Sequence, residues 1–123
     1  MIFFTKKRGN CRIDNLNLYR DIIEKNLHKY ANIPDAYGEI EEYLIIDKER
    51  NHFLLLDVGW QQKRRVHGCI THIQIINGKI WVQQDGMEDG IAPELVEAGI
   101  PKSDIVLGFH PSDVRHHTGY AIA

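Results

Sequence analysis

The chain has 123 residues, 43% hydrophobic and 26% charged, with a net charge of -2; that length holds one ordinary core, since domains of ~100–150 residues are the commonest size. No apolar run approaches the ~20 residues that span a bilayer, and Met1-Ile2-Phe3-Phe4 is too short for a signal-peptide core, so a cytoplasmic protein without membrane contact is expected. The net charge by itself excludes little, but the acidic stretches of the chain argue against a nucleic-acid binder that works alone, which needs a dominant basic face to displace the counterions of phosphates.

In chain order, residues 1–13 have no hydrophobic period and carry Lys6, Lys7, Arg8 and Arg12. They read as a flexible basic N-terminal extension ahead of a single domain over residues 14–123. Asp14 can cap a helix whose apolar positions Leu16, Tyr19, Ile22, Ile23, Leu27 and Tyr30 recur at helical spacing, with Lys25, His28 and Lys29 suited to its C-terminal dipole. Pro34 and Gly38 end it near Ala31.

Four strands follow, over residues 39–47, 52–60, 64–76 and 79–85. In the second, Leu54, Leu56, Val58 and Trp60 share one face by period two. Asn77-Gly78 joins the last two as a type I′ hairpin, a turn that needs positive φ at both central residues. A two-residue loop pairs Ile76 with Lys79, Ile75 with Ile80, Gln74 with Trp81, Ile73 with Val82 and His72 with Gln83. Ile73, Ile75, Ile80 and Val82 then form the core face under a helix, while His72, Gln74, Trp81 and Gln83 form the other.

A helix over residues 91–98 has Pro93 early and Gly99 just past its end, in keeping with the positional preferences of these residues. A strand over residues 105–109 joins the sheet, and Ser112 or Asp113 starts one helical turn through His116. The fold class is therefore α+β: an N-terminal helix packed on an antiparallel sheet of about four to six strands, with short C-terminal helices.

Acidic charge concentrates in residues 35–57, which hold seven carboxylates against Lys48 and Arg50, and in residues 85–97, which hold five and no base. Lys63, Arg64 and Arg65 are the basic cluster of the folded body and the candidate contacts for DNA phosphates. Trp60, Arg64, Arg65, His72, Gln74, Trp81 and Gln83 are the candidate contacts for a protein partner or a second copy, because Trp and Arg are enriched at interface hot spots. The plain alternative is a solvated sheet face and a solvated charge run.

Catalytic constellations are sparse. His110, His116 and His117 lack a supporting carboxylate motif for zinc, and the segment 85–90 has Met87 where a calcium loop needs an oxygen ligand. Cys69 near His67 and His72 has no third orienting group, so a buried structural thiol is expected. Cys11 and Cys69 form no CxxC, which points to reduced thiols. Phosphate-binding glycine loops, HExxH and nucleophile elbows do not occur, nor does a nuclease-type carboxylate pair with E-x-K. No catalytic residue, cofactor or metal is expected, and a self-sufficient enzyme is not.

The ordered blocks Asp57-Val58-Gly59-Trp60, Lys63-Arg64-Arg65-Val66-His67-Gly68-Cys69, Gly78-Lys79-Ile80-Trp81-Val82-Gln83, Asp85-Gly86 through Gly90-Ile91-Ala92, Glu94-Leu95-Val96, Gly99-Ile100-Pro101-Lys102, Asp104-Ile105-Val106-Leu107-Gly108-Phe109-His110 and Tyr120-Ala121 resemble the XisI family. These are the fdxN element excision controlling factors of cyanobacteria. The similarity runs from about Leu16 to the C-terminus, with Met87 and Tyr120 departing from an expected Thr and Phe. It implies a regulatory protein in programmed DNA rearrangement during heterocyst differentiation, working beside a site-specific recombinase and an endonuclease-like companion of the XisH family. By resemblance, this chain binds and controls that companion. The alternative is an accessory factor that touches DNA directly through Lys63, Arg64 and Arg65; the acidic stretches favour indirect contact.

Overall fold

In a computed structural model, the backbone is described for residues 7–31 and 39–123 and the side chains for residues 15–31 and 39–123. The first helix, α1, runs Lys7–Ala31. It therefore starts seven residues before the Asp14 cap expected from sequence, and the proposed extension is helical from Lys7 onward; residues 1–6 of that extension lie outside the described residues. The strands are β1 (Ile40–Ile46), β2 (His52–Gln61), β3 (Arg64–Ile76), β4 (Lys79–Asp85) and β5 (Ile105–Leu107). Helix α2 (Ile91–Glu97) and a 3-10 turn (Lys102–Asp104) connect β4 to β5, and α3 (Ser112–Arg115) follows.

The sheet order is β1-β2-β3-β4-β5. The first four strands pair antiparallel with their chain neighbours, and β5 lies parallel to β4. Each hairpin has a local cause. Asn77 and Gly78 adopt φ of 50° and 80°, the expected type I′ geometry, and Gln62 takes φ 58° at the β2–β3 turn. The Asp47 Oδ1 accepts the Asn51 and His52 N–H groups, each at 2.7 Å, closing the β1–β2 turn.

Helix α1 covers one sheet face with the stripe read from sequence: Tyr19, Ile23 and Leu27 are buried, with Leu16, Ile22 and Tyr30 packed at the margin. They meet Phe53, Ile73, Ile80 and Val82 from the sheet, and Ile91, Leu95 and Ile100 from the α2 region. Polar groups fix the docking angle. Tyr19 Oη donates to Asp104 Oδ2 at 2.5 Å; burial first, then this bond, raises the phenol to about 12. Arg20 donates to Arg50 O and Asn51 Oδ1, while Arg50 reaches Asp21 and Glu24 at 2.8 and 3.2 Å. Asp85 caps α2 from outside the helix, its Oδ2 accepting the Ile91 N–H at 2.8 Å.

Two bulges alter the register read from sequence. Leu55 pairs with Thr71 but Leu56 with Cys69, so Ile70 is extra; His72 pairs with Gln84 and Ile73 with Val82, so Gln83 is extra. The expected His72–Gln83 pair is thus corrected to His72–Gln84, whereas Ile73–Val82, Gln74–Trp81, Ile75–Ile80 and Ile76–Lys79 hold. A one-residue bulge exchanges the faces of everything beyond it. Thr71, Ile73 and Ile75 point to the helix side, and past Ile70 the residues of the same parity, Cys69, His67 and Arg65, point to the other.

Candidate functional site

The open sheet face is built from alternate residues of three strands. Across it the register aligns Trp60 with Arg65, then Glu41 with Val58 and His67, then Tyr43 with Leu56 and Cys69, then Ile45 with Leu54 and His72. Tyr43, Ile45 and Trp60 are 45%, 47% and 49% exposed. No described helix covers them; Tyr43 and Ile45 are neighbours on β1, and Trp60 stands two rows along, beyond Glu41 and His67. Arg65 places its guanidinium 5.2 Å from the Trp60 ring centre and donates to Gly59 O. Gly59 is required beside it, because a Cβ there would lie 2.0 Å from the Glu39 carbonyl oxygen, which accepts the Trp60 N–H.

Of the residues proposed as partner contacts, Trp60, Arg65, His72, Gln74 and Trp81 lie on this face. Gln83 lies there as well, donating from Nε2 to Gln74 Oε1 at 3.2 Å. Arg64 does not join Arg65: the Ile70 bulge puts it on the opposite side, paired with Gln61 and donating to its Oε1. Trp81 is the other departure. The C-terminal segment folds back beside it, setting the Arg115 guanidinium 5.0 Å from its ring centre while Arg115 donates to the carbonyls of His110 and Ile122. Trp81 is accordingly half-buried by its own chain, and the open apolar area is confined to β1, β2 and β3.

At one end of the face the β2–β3 hairpin extends past both neighbours, since β1 pairing ends at Gly59 and β4 pairing ends at Thr71. Lys63, Arg64 and Arg65 are exposed at its tip. At the other end His52 and His72 stack with centroids 5.4 Å apart and Nδ1 to Nε2 at 3.2 Å. One ring must donate to the other. Burial, and secondarily the His52 charge, hold the His72 imidazole below its ordinary range.

On the helix side, at the foot of the projecting hairpin, lies a cavity of about 470 Å3 lined by Tyr30, Glu42, Asp57, Glu88, Asp89 and Glu94 among others. Glu42 and Asp57 are paired across β1 and β2. Burial, then a hydrogen bond to Asp57 and its charge, push the Glu42 carboxyl up to about 7. Tyr30 donates its hydroxyl to Glu94, and that bond first, then burial, raises the phenol to about 12. The reading from sequence missed this pair. Its signal was present in Glu42, which shares the inward parity of Leu44 and Ile46 on β1.

Other candidates resolve simply. The Cys69 thiol donates to Thr71 O at 3.3 Å, and burial raises it further from thiolate character. His116 and His117 hold their rings 3.9 Å apart. Among the described residues no group of three or more His, Cys, Asp or Glu is placed to hold a metal ion, and no helix is long and apolar enough to cross a membrane.

The XisI protein family model matches residues 13–122. The chain belongs to the XisI family. A XisI-like protein from Anabaena variabilis ATCC 29413 superposes with a TM-score of 0.78 at 40% identity, covering 88% of this chain and 99% of its own. The fdxN element excision controlling factor XisI from the same organism gives 0.73 at 40% identity, with coverage of 88% and 98%. No curated protein matches the chain. This XisI chain thus shares its α+β architecture, a helix on a five-stranded, mostly antiparallel sheet, with solved members of the family.

Proposed function

We propose that this XisI chain is a non-enzymatic accessory protein in the control of programmed DNA element excision, acting in the cytoplasm on an endonuclease-like companion of the XisH type. The observation that carries this reading is the 40% identity, over 88% of the chain, to a solved protein named as an fdxN element excision controlling factor. The architecture suits contact rather than chemistry. A basic hairpin tip projects from the sheet beside a carboxylate-lined cavity, so one end of the molecule offers both signs of charge to a partner.

Co-expression with an XisH-type companion from the same genome tests it, with the mass read by size-exclusion chromatography and light scattering. A stable heteromeric complex that Lys63→Glu and Arg64→Glu weaken at the hairpin tip is the expected result. Separate elution at low and high salt would overturn the companion reading.

A second reading, direct contact of Lys63, Arg64 and Arg65 with DNA phosphates, is favoured by the exposure of all three side chains at that tip. It requires DNA affinity that falls steeply with salt and drops with Arg64→Ala and Arg65→Ala.

A further inference from the structure

We propose that the free edge of β3, residues 63–69 with the turn residue Lys63, pairs antiparallel with the same edge of a second copy of this chain, about a two-fold axis at Val66. On the β4 side, β3 has no strand partner before Thr71, so residues 64–69 border open space there. Hydrogen-bond parity shows which groups stand unused. The Trp60 N–H donates to Glu39 O on the β1 side, so Trp60 and its partner Arg65 exchange no ladder bonds with each other. Arg65, His67 and Cys69 therefore turn their N–H and C=O groups away from β2. Gln84 Nε2 takes the Cys69 carbonyl from that outer side, in agreement. Among the described residues no hydrogen bond reaches the outward backbone groups of Arg65 and His67. A row of such groups on an extended edge is matched by another strand.

Parity and shape leave one register for a self-pairing edge. Outward groups must face outward groups, so the two strands can slide only in steps of two residues. With Val66 on the axis, Arg65 of each copy pairs with His67 of the other, Arg64 with Gly68, and Lys63 with Cys69. A step to shallower overlap sets Arg65 against Arg65, which like charges oppose. A step to deeper overlap needs the Cys69 carbonyl that Gln84 holds, and it drives Lys63 to the place opposite Thr71 that Asp85 already fills. The Val66 register meets neither obstacle, and it gives an isologous contact that closes on itself.

The side chains agree with that register. Half-buried Val66 meets its counterpart in a pair without ladder bonds, the closer of the two antiparallel geometries. Arg64 comes opposite Gly68, where a Cβ would meet nothing within 4 Å. Across that gap, on β2, stands Asp57, the strand partner of Gly68. Asp57 lines the acidic cavity with Glu42, Glu88 and Asp89, and its Oδ1 has no hydrogen-bond partner. The guanidinium of one copy thus crosses the gap to a carboxylate of the other, a charge-assisted contact. Cations on a strand edge ordinarily discourage strand addition. Here they admit a strand that brings carboxylates to them, and the chain's own edge does so. A nucleic acid offers no strand to the ladder, and an unrelated extended segment lacks the match of Arg64 to Gly68 and Asp57.

Sedimentation velocity on the full chain alone, over a range of protein concentrations, reads the outcome. Twice the 14.3 kDa chain mass is expected. His67→Pro removes an N–H used only between copies, Gly68→Val fills the gap before Asp57, and Arg64→Asp reverses the charge that crosses it. Each should weaken the dimer by roughly tenfold or more. All three positions are exposed, so thermal melts of the monomeric variants should stay near the parent. In a Cys11→Ser, Cys69→Ser background, Val66→Cys should cross-link two copies on mild oxidation, since directly opposed Cβ atoms lie ~4.5–5.5 Å apart, the nearer value without ladder bonds. A monomer at all concentrations overturns the proposal. So does a dimer that none of the three substitutions weakens, or one in which Val66→Cys does not cross-link.

Discussion

Strands β1 to β4 carry two faces made of alternate residues, and the two have had opposite fates. On the helix side Phe53, Leu55, Ile73, Ile80 and Val82 have no exposed surface, because α1 and α2 close over them. On the other side Tyr43, Ile45 and Trp60 remain about half exposed in strands just as apolar. The pleat supplied hydrophobic side chains to both faces, and the fold used only one of them for its core. What separates a core from an open face here is the number of covering elements, not the composition of the strands.

Substitution separates the faces in order of effect. Phe53→Ala removes a fully buried ring beneath α1 and should cost about 3–5 kcal/mol, seen as a large fall in Tm. Ile45→Thr, on the open face, should leave the unfolding free energy within about 0.5 kcal/mol of the parent, with little change in Tm, under conditions where the chain is monomeric. An effect of core size at Ile45 would mean that the face is covered within the single chain.

The acidic pair on the helix side sharpens the contrast through pH. Glu42 takes up a proton near 7 in the folded chain, against an ordinary value of 4.5. Between those values the folded state binds more protons than the unfolded one, so this group's contribution to stability declines as pH rises from 4.5 and levels off above 7. Glu42→Gln should therefore raise Tm by a few degrees well above pH 7 and have little effect near pH 4.5, as thermal melts across that range would show. His72 acts in the opposite sense, since its depressed imidazole loses stability as pH falls below its ordinary 6.5. His72→Gln should flatten that acid limb alone.

Much of the fold was legible because its signals are local. Strand β3 and strand β4 have the limits that alternation and Asn77-Gly78 implied, and the α1 stripe is the one its apolar spacing described. The helix start was not, because Asp14 offers a good cap but nothing in its side chain forbids the backbone from continuing the helix N-terminally. The bulges were invisible for a different reason. Inserting Ile70 changes no residue type, only parity, yet it decides that Arg65 and not Arg64 shares a face with His72. Covering of Trp81 by Arg115 joins residues far apart in sequence, which no periodicity reports.

The strand order carries a kinetic consequence. Every antiparallel pairing in the sheet joins consecutive strands through a short turn, so the loops that must close first are small and lose little chain entropy. Such hairpins form in ~1–10 μs, and the β3–β4 turn, already matched to strand twist by Asn77 and Gly78, is a natural place to begin. Parallel docking of β5 must await the α2 crossover, and the bridge from Val106 to Ala121 must await β5. The C-terminal clasp on Trp81 is therefore expected to be among the least protected parts of the sheet, which native-state hydrogen exchange at Val106 and Ala121 would show.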